Sequence, residues 1–204
     1  MHLMKAESPG PSVGKLVPKV RSTAKILYQI YFVLTVAMLA CMILTGCPLF
    51  DSVNLTFATA GTGGFGVLDS SAAEYGAATQ WVMTIFMILF GVNFNVYFLF
   101  YVKRFKEGMK SEEARAYLGI IASAVLLISV NIFYMVRNLA LTVRQAAFQV
   151  ASIITTTGFS SVDFDLWPEF SKGILVLLMF CGACAGSTGG GMKVSGSALW
   201  QKQS

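Results

Sequence analysis

The sequence predicts an all-α polytopic membrane protein made of two repeated helix–re-entrant loop–helix units. Three observations carry that expectation. Apolar residues fill 55% of the 204 positions and charged residues only 12%, a balance unlike that of soluble domains. The stretches Ile26–Gly46, Trp81–Val102 and Tyr117–Val136 contain no charge and match the ~20 residues that cross a ~30 Å hydrocarbon core. Two short segments, Thr62-Gly63-Gly64-Phe65 and Thr156-Thr157-Gly158-Phe159, recur 94 positions apart inside long connections between apolar stretches.

Residues 1–25 read as a linker. Pro9, Gly10, Pro11 and Gly14 punctuate them, and they lack the apolar core of a signal peptide. Residues 26–103 form the first unit, with spans at 26–46 and 81–102, a short helix at 48–60 and a Thr/Gly segment at 61–66. Pro48 suits the opening turn of the short helix, which is too short to span. Residues 104–116 form a polar connection, whose Ser111-Glu112-Glu113 run starts the next helix with acids near its N-terminus. Residues 117–204 form the second unit: a span at 117–136, a short helix at 141–154, a Thr/Gly segment at 155–160 and a broken span at 173–200. Both ends of the chain look like interior cuts of a longer protein.

Charge placement sets the orientation. Lys5, Lys15, Lys19, Arg21 and Lys25 precede the first span; Lys103, Arg104, Lys106, Lys110 and Arg115 lie between the units. Cys47–Gln80 holds Asp51, Asp69 and Glu74 and no Lys or Arg. The positive-inside rule then makes residues 1–25 and 103–116 cytoplasmic and turns 47–80 and 137–172 outward. Lys193 and Lys202 return inside, so four crossings close. The net charge of +5 reflects topology and lipid headgroups. No basic stripe alternates with aromatics as a nucleic-acid groove requires.

The outward connections have a chemistry of their own. A short helix that enters and an extended segment that leaves make a re-entrant loop, which survives at membrane depth only when buried in protein or lining a watery cavity. Successive backbone carbonyls can replace the water of a dehydrated cation such as K⁺, and glycine permits the dihedrals this needs. Gly61, Thr62, Gly63 and Gly64, with Thr155, Thr156, Thr157 and Gly158, are the candidate filter residues. Phe65 and Phe159 are expected to wedge each loop against its surroundings. The short helices would aim their C-terminal dipoles at the cation, and Asp69, Asp163 and Asp165 could concentrate cations at the mouth. Aligning the units also pairs Asp69 with Asp163, as expected of a duplicated unit.

The last span carries Gly186-Ser187-Thr188-Gly189-Gly190-Gly191. Each interior glycine costs a helix about 1 kcal/mol, so the helix should break there, and broken membrane helices are commonly sited on ion paths. The candidate gating loop comprises Gly182, Ala185, Gly186, Ser187, Thr188, Gly189, Gly190 and Gly191. A helix end at the cytoplasmic face is the alternative.

Ala185-Gly186-Ser187-Thr188-Gly189-Gly190-Gly191-Met192-Lys193, about 30 residues after Thr155–Phe159, resembles the Trk/Ktr/HKT superfamily of cation transporters, most closely the bacterial TrkH-type potassium uptake subunits. Lys5-Ala6-Glu7-Ser8-Pro9-Gly10-Pro11 and Phe57–Gly66 are similar to it as well. The resemblance implies four membrane–pore–membrane units around one pseudo-fourfold, potassium-channel-like pore, of which this chain is an internal fragment holding the second and most of the third. The first and fourth are absent, with the basic residue that the family uses below its filter. The family further implies one filter glycine from each unit, here Gly64 and Gly158, and an intramembrane gate at about 182–191. It implies K⁺ as the transported ion with no cofactor, and a multi-pass place in the bacterial plasma membrane. It also implies homodimers and a cytoplasmic nucleotide-binding TrkA-type regulatory subunit.

Other motifs compete with this reading. Gly61-Thr62-Gly63-Gly64-Phe65-Gly66 fits G-x-G-x-x-G, but a dinucleotide site needs a preceding strand and a soluble α/β unit. Cys181-Gly182-Ala183-Cys184 fits a redox dithiol, which makes a membrane-embedded thiol-redox protein the rival from another class. A non-transporting fragment that serves only as an interaction partner is the second rival. His2 is the lone histidine, and no carboxylate pair falls within a span, so enzymatic and proton-relay chemistry lack candidates. Asn93, Asn95 and Asn131 read as interhelical hydrogen-bonding residues.

Overall fold

The computed structural model describes residues 20–104, 108 and 111–191. The linker up to Lys19, residues 105–107 and 109–110 of the polar connection, and Lys193, Lys202 and the end of the broken span lie outside the described residues. Seven helices are described: α1 (Val20–Leu44), α2 (Leu49–Ala60), α3 (Ala77–Gly91), α4 (Phe94–Tyr101), α5 (Glu112–Val136), α6 (Leu139–Ile154) and α7 (Glu169–Cys181). A 3-10 turn at Phe164–Leu166 precedes α7. No strand occurs among the described residues.

The helix ends follow local chemistry. Asn138 begins α6 by accepting a hydrogen bond from the Leu141 amide at 3.1 Å, a side-chain cap for an otherwise orphaned donor. Ser111 plays the same part for Ala114 at the start of α5. Prolines 48 and 168 occupy the N-cap positions of α2 and α7, where a missing N–H removes no helical bond.

Two helices, Thr23–Leu44 within α1 and all of α5, are long and apolar enough to cross a membrane. Their outer faces are apolar: Tyr28, Phe32 and Val33 on α1, and Leu126, Val130 and Tyr134 on α5, are largely exposed. Such faces suit lipid, where helices associate through packing and interhelical hydrogen bonds rather than through water exclusion.

The stretch 81–102, expected as one span, has a sharp break within it. It consists of α3 and α4, bent by 86°. Val92 is extended (φ −77°, ψ 147°), and Asn93 starts a new helix by accepting from the Asn95 amide at 2.9 Å. The bend takes carbonyls at the end of α3 out of the helical ladder, and they require partners.

Two cores organise the fold. In the second unit, Tyr117, Ile121, Ile128 and Ile132 of α5 pack with Ala146, Val150 and Ile154 of α6 and with Leu175 and Leu178 of α7. In the first, Met38 and Met42 of α1 pack with Leu55 of α2 and with Met83, Met87 and Phe90 of α3. Phe148, Ala151 and Phe159 of the second unit complete that first core. Helix α6 therefore packs on α3 as well as on α5 and α7, and joins the two units.

Candidate functional site

The two Thr/Gly segments have the same backbone. Both short helices end in a residue near φ −85°, ψ 0°: Gly61 at −86°, 0° and Thr155 at −85°, −2°. The next residues, Thr62 and Thr156, are left-handed (φ 50° and 58°), and so are Gly64 and Gly158 (φ 67° and 90°). The sign of φ thus alternates along both segments. A β-branched residue in the left-handed region is a true outlier; its cost of roughly 1–3 kcal/mol persists only where the surroundings impose it. The same outlier at both equivalent threonines marks a built feature.

Amide bonds reveal where the carbonyls point. Thr62 N–H donates to Thr59 O and Gly63 N–H to Ala58 O, at 3.1 and 2.7 Å. Thr156 N–H donates to Ile153 O, while Thr157 and Gly158 N–H both donate to Ser152 O. These amides all turn back into the short helices. In a planar trans peptide the C=O points opposite to its N–H. The carbonyls of Gly61, Thr62, Thr155, Thr156 and Thr157 therefore point away from the helices. The two segments also meet directly: a Cβ at Gly64 would overlap the Thr157 carbonyl. Helices α2 and α6 end here, so their negative dipole ends lie beside the carbonyls.

The loops are tied down unequally. Thr155 Oγ1 donates to Ala151 O at 2.7 Å and lies 2.8 Å from Thr157 Oγ1. Ser152 Oγ donates to Phe159 O at 2.6 Å. Phe159 is 2% exposed, whereas Phe65 is 77% exposed, so the expected wedge holds for Phe159 and fails for Phe65 in this chain. Phe65, Phe50 and Phe57 instead line an open groove of about 520 Å³. Outside the loops, Ala72 N–H donates to Ser160 O at 2.8 Å and Ser160 N–H to Ser71 Oγ at 3.1 Å, which ties the two outer connections together. Asp69, Asp163 and Asp165 are exposed; Asp163 accepts from the Asp165 amide at 3.1 Å.

Beneath the loops runs the Gly-rich segment. Helix α7 stops at Cys181, and Gly182 turns the chain with φ 65°, ψ −173°. Residues 182–191 then run without helix. Thr62 Oγ1 shares its proton between Gly61 O at 2.8 Å and Thr188 O at 3.1 Å, and Gly190 N–H donates to Thr156 Oγ1 at 2.8 Å. The left-handed threonine of each unit thus touches the same segment. Gly182, Ala185, Gly186, Ser187, Thr188, Gly189, Gly190 and Gly191 all lie in it, with Ala183 and Cys184.

The segment hangs from the bend between α3 and α4. Cys184 N–H donates to Gly91 O at 3.2 Å; Thr188 donates to Phe90 O through both its amide and its hydroxyl; Phe94 N–H donates to Gly186 O at 3.1 Å. Carbonyls released by the bend are therefore spent on the segment. Sequence reasoning missed this, because the stretch carries no charge and its Asn93 and Asn95 read as interhelical hydrogen-bonding residues. It also missed the inward turn of Glu113, which accepts from Asn93 Nδ2 at 3.0 Å and from the Ala185 amide at 2.6 Å. Asn93 and Asn131 do bond between elements, the latter accepting from Ser171 Oγ at 2.7 Å.

The thiol pair is poorly disposed for exchange. Cys184 is fully buried and Cys181 partly so; both are free. Redox exchange needs an accessible, activated thiolate.

These features define a class: a membrane protein in which paired helix–pore loop–helix units present backbone carbonyls above a non-helical intramembrane segment. The family model TrkH, described as a cation transport protein, matches residues 1–204, and the chain belongs to that family. It is 36% identical over its whole length to the Trk system potassium uptake protein TrkH of Salmonella typhimurium, covering 43% of that protein. It is 35% identical to the TrkH of Halomonas elongata, again over 43% of its length. Its fold is similar to the crystal structure of the potassium transporter TrkH from Vibrio parahaemolyticus, with a TM-score of 0.85 and 32% identity over 96% of this chain and 43% of that one. The chain therefore spans less than half the length of the relatives it matches.

Proposed function

We propose that the full-length protein containing this chain takes up K⁺ across the bacterial plasma membrane, and that this chain supplies two of its pore loops and the gate. The carbonyls of Gly61–Gly64 and Thr155–Gly158 replace the hydration oxygens of the ion. The segment at 182–191 gates by lying across the inner end of both loops. The observation that carries this reading is the shared geometry of the two loops, with every bonded amide turned inward and both left-handed threonines held by one segment. Family membership and the names of the relatives support K⁺ as cargo.

The transporter works as a conduit, with no enzymatic step and no cofactor; the electrochemical gradient drives the ion. Charge placement supports residues 1–25 and 103–116 on the cytoplasmic side. The "Trk system" naming of the relatives supports further subunits. We assign these as a second copy of the full-length protein and a cytoplasmic nucleotide-binding TrkA-type regulator.

The test is growth of an uptake-deficient bacterium expressing the full-length protein, wild type beside Gly158→Ser. Wild-type rescue, with more external K⁺ needed by the variant, is the expected result. Equal rescue by both removes Gly158 from the filter, and no rescue by wild type overturns K⁺ uptake.

A further inference from the structure

Glu113 stands out once the loops and the gate are accounted for. It lies in the first turn of α5, where a carboxylate ordinarily serves the helix dipole from the solvent side. Here both of its oxygens are engaged elsewhere. Oε1 accepts from the backbone amide of Ala185 at 2.6 Å, and Oε2 accepts from Asn93 Nδ2 at 3.0 Å. Ala185 belongs to the Gly-rich segment and Asn93 to the bend between α3 and α4, so one side chain clamps together three separate elements. Neighbouring Glu112 is exposed.

The contacts beside it share one purpose. Phe94 N–H reaches Gly186 O, and Cys184 N–H reaches Gly91 O. These are neutral backbone bonds, whereas Glu113 makes charge-assisted ones, which are shorter and about twice as strong.

We propose that Glu113 is the latch that keeps the 182–191 segment across the inner end of the pore loops. The latch rests on the gating role assigned to that segment. Glu113 sits in the first turn of α5, so a displacement of that turn withdraws the carboxylate from Ala185 and frees the segment. The residue acts on the gate through the Ala185 amide and touches no ion.

The experiment is Rb⁺ flux into proteoliposomes holding the full-length protein, comparing wild type, Glu113→Ala, Glu113→Gln and a deletion of Thr188–Gly190. The latch predicts flux raised about tenfold in Glu113→Ala, the scale of one lost charge-assisted bond, with Rb⁺ over Na⁺ preference retained. Glu113→Gln keeps an acceptor for Ala185 and should lie nearer wild type. A merely structural role would lower flux instead. If the deletion raises flux and Glu113→Ala does not, the latch is overturned while the gate stands. If the deletion folds and does not raise flux, the gate itself is overturned and the latch with it. A second readout is independent of flux: the rate at which a water-soluble thiol reagent modifies Ser187→Cys, with and without Glu113→Ala. The latch predicts a rate about tenfold faster in the double variant, and equal rates overturn it.

Discussion

The two pore loops share a backbone and differ in their surroundings. Thr155, Thr157 and Phe159 of the second loop are almost fully buried, while Gly61, Gly63 and Phe65 of the first are exposed. The difference arises from what each loop packs against. Phe159 enters a core made mostly of first-unit residues, including Met83 and Met87 of α3. The second loop is thus completed by the first unit. The first loop's counterpart to that receiving surface is the groove formed by Phe50, Phe57 and Phe65, which no residue described here fills. A re-entrant loop is stable only when enclosed, so burial here is a property of neighbouring units rather than of the loop sequence.

The comparison can be broken first at the glycines. Both need a left-handed backbone, but only Gly64 lacks room: a Cβ there would overlap the Thr157 carbonyl, whereas at Gly158 no atom lies within 4 Å. Gly64→Ala should abolish Rb⁺ uptake by the full-length protein, since backbone must move. Gly158→Ala should cost only the dihedral strain, about 1–2 kcal/mol, and retain measurable uptake. Equal loss in both would show that strain, and not contact between the loops, limits the site.

The aromatics sharpen the same contrast. Phe159→Ala should destabilise by about 3–5 kcal/mol, read as a lower melting temperature in detergent. In the 204-residue chain Phe65→Ala should change little. In the full-length protein it should approach the cost of Phe159→Ala if a preceding unit covers the groove; a negligible effect there would refute the idea that each loop is completed by its predecessor.

A smaller effect is expected at the threonine hydroxyls. Thr156→Val deletes the acceptor for Gly190 N–H and Thr62→Val the donor to Thr188 O. Each loses a bond worth about 1 kcal/mol, so each should raise flux several-fold, and together they should exceed either alone. Unchanged flux in the double variant would detach the gate from the threonines.

The smallest effect belongs to the outer connection of the first unit. Tyr75 donates to Asp51 Oδ2 at 2.9 Å, and burial, helped by that carboxylate, raises its phenol above the ordinary value of about 10. The folded state therefore holds the proton more tightly than the unfolded one. This contribution is complete below the ordinary tyrosine range and declines as pH rises beyond it. Melting temperature should fall less steeply above pH ~10 in Tyr75→Phe; parallel curves would remove Tyr75 from the account.

Much of this was legible in the sequence. The charge-free stretches announce membrane helices, because every backbone group in lipid must bond internally and an apolar run of sufficient length does so only as a helix. Gly64 and Gly158 stood out because glycine permits unusual dihedrals and the Thr-x-Gly-Phe order repeats. The left-handed turn at Thr62 and Thr156 was not legible, since a β-branched residue disfavours it. The Gly-rich run in the last stretch advertised a break, since glycine weakens a helix wherever it lies.

The bend at Val92–Asn93 was not legible. Trp81–Val102 satisfies the composition of one span, and a run of apolar residues states only that water is excluded, not which way the axis points. The different fates of Phe65 and Phe159 were equally hidden, since the same residue after loops of like backbone is distinguished by what packs around it. Glu113 read as an ordinary acid at a helix start until the fold brought Asn93 and Ala185 to its two oxygens. Sequence alone thus determined which stretches are apolar enough for a membrane and where glycine permits unusual dihedrals, because hydration cost and local sterics act residue by residue. The tertiary structure decided which carbonyls lost their helical partners, which aromatic was enclosed and what the carboxylate held, because those depend on groups far apart in the chain meeting within a few ångströms.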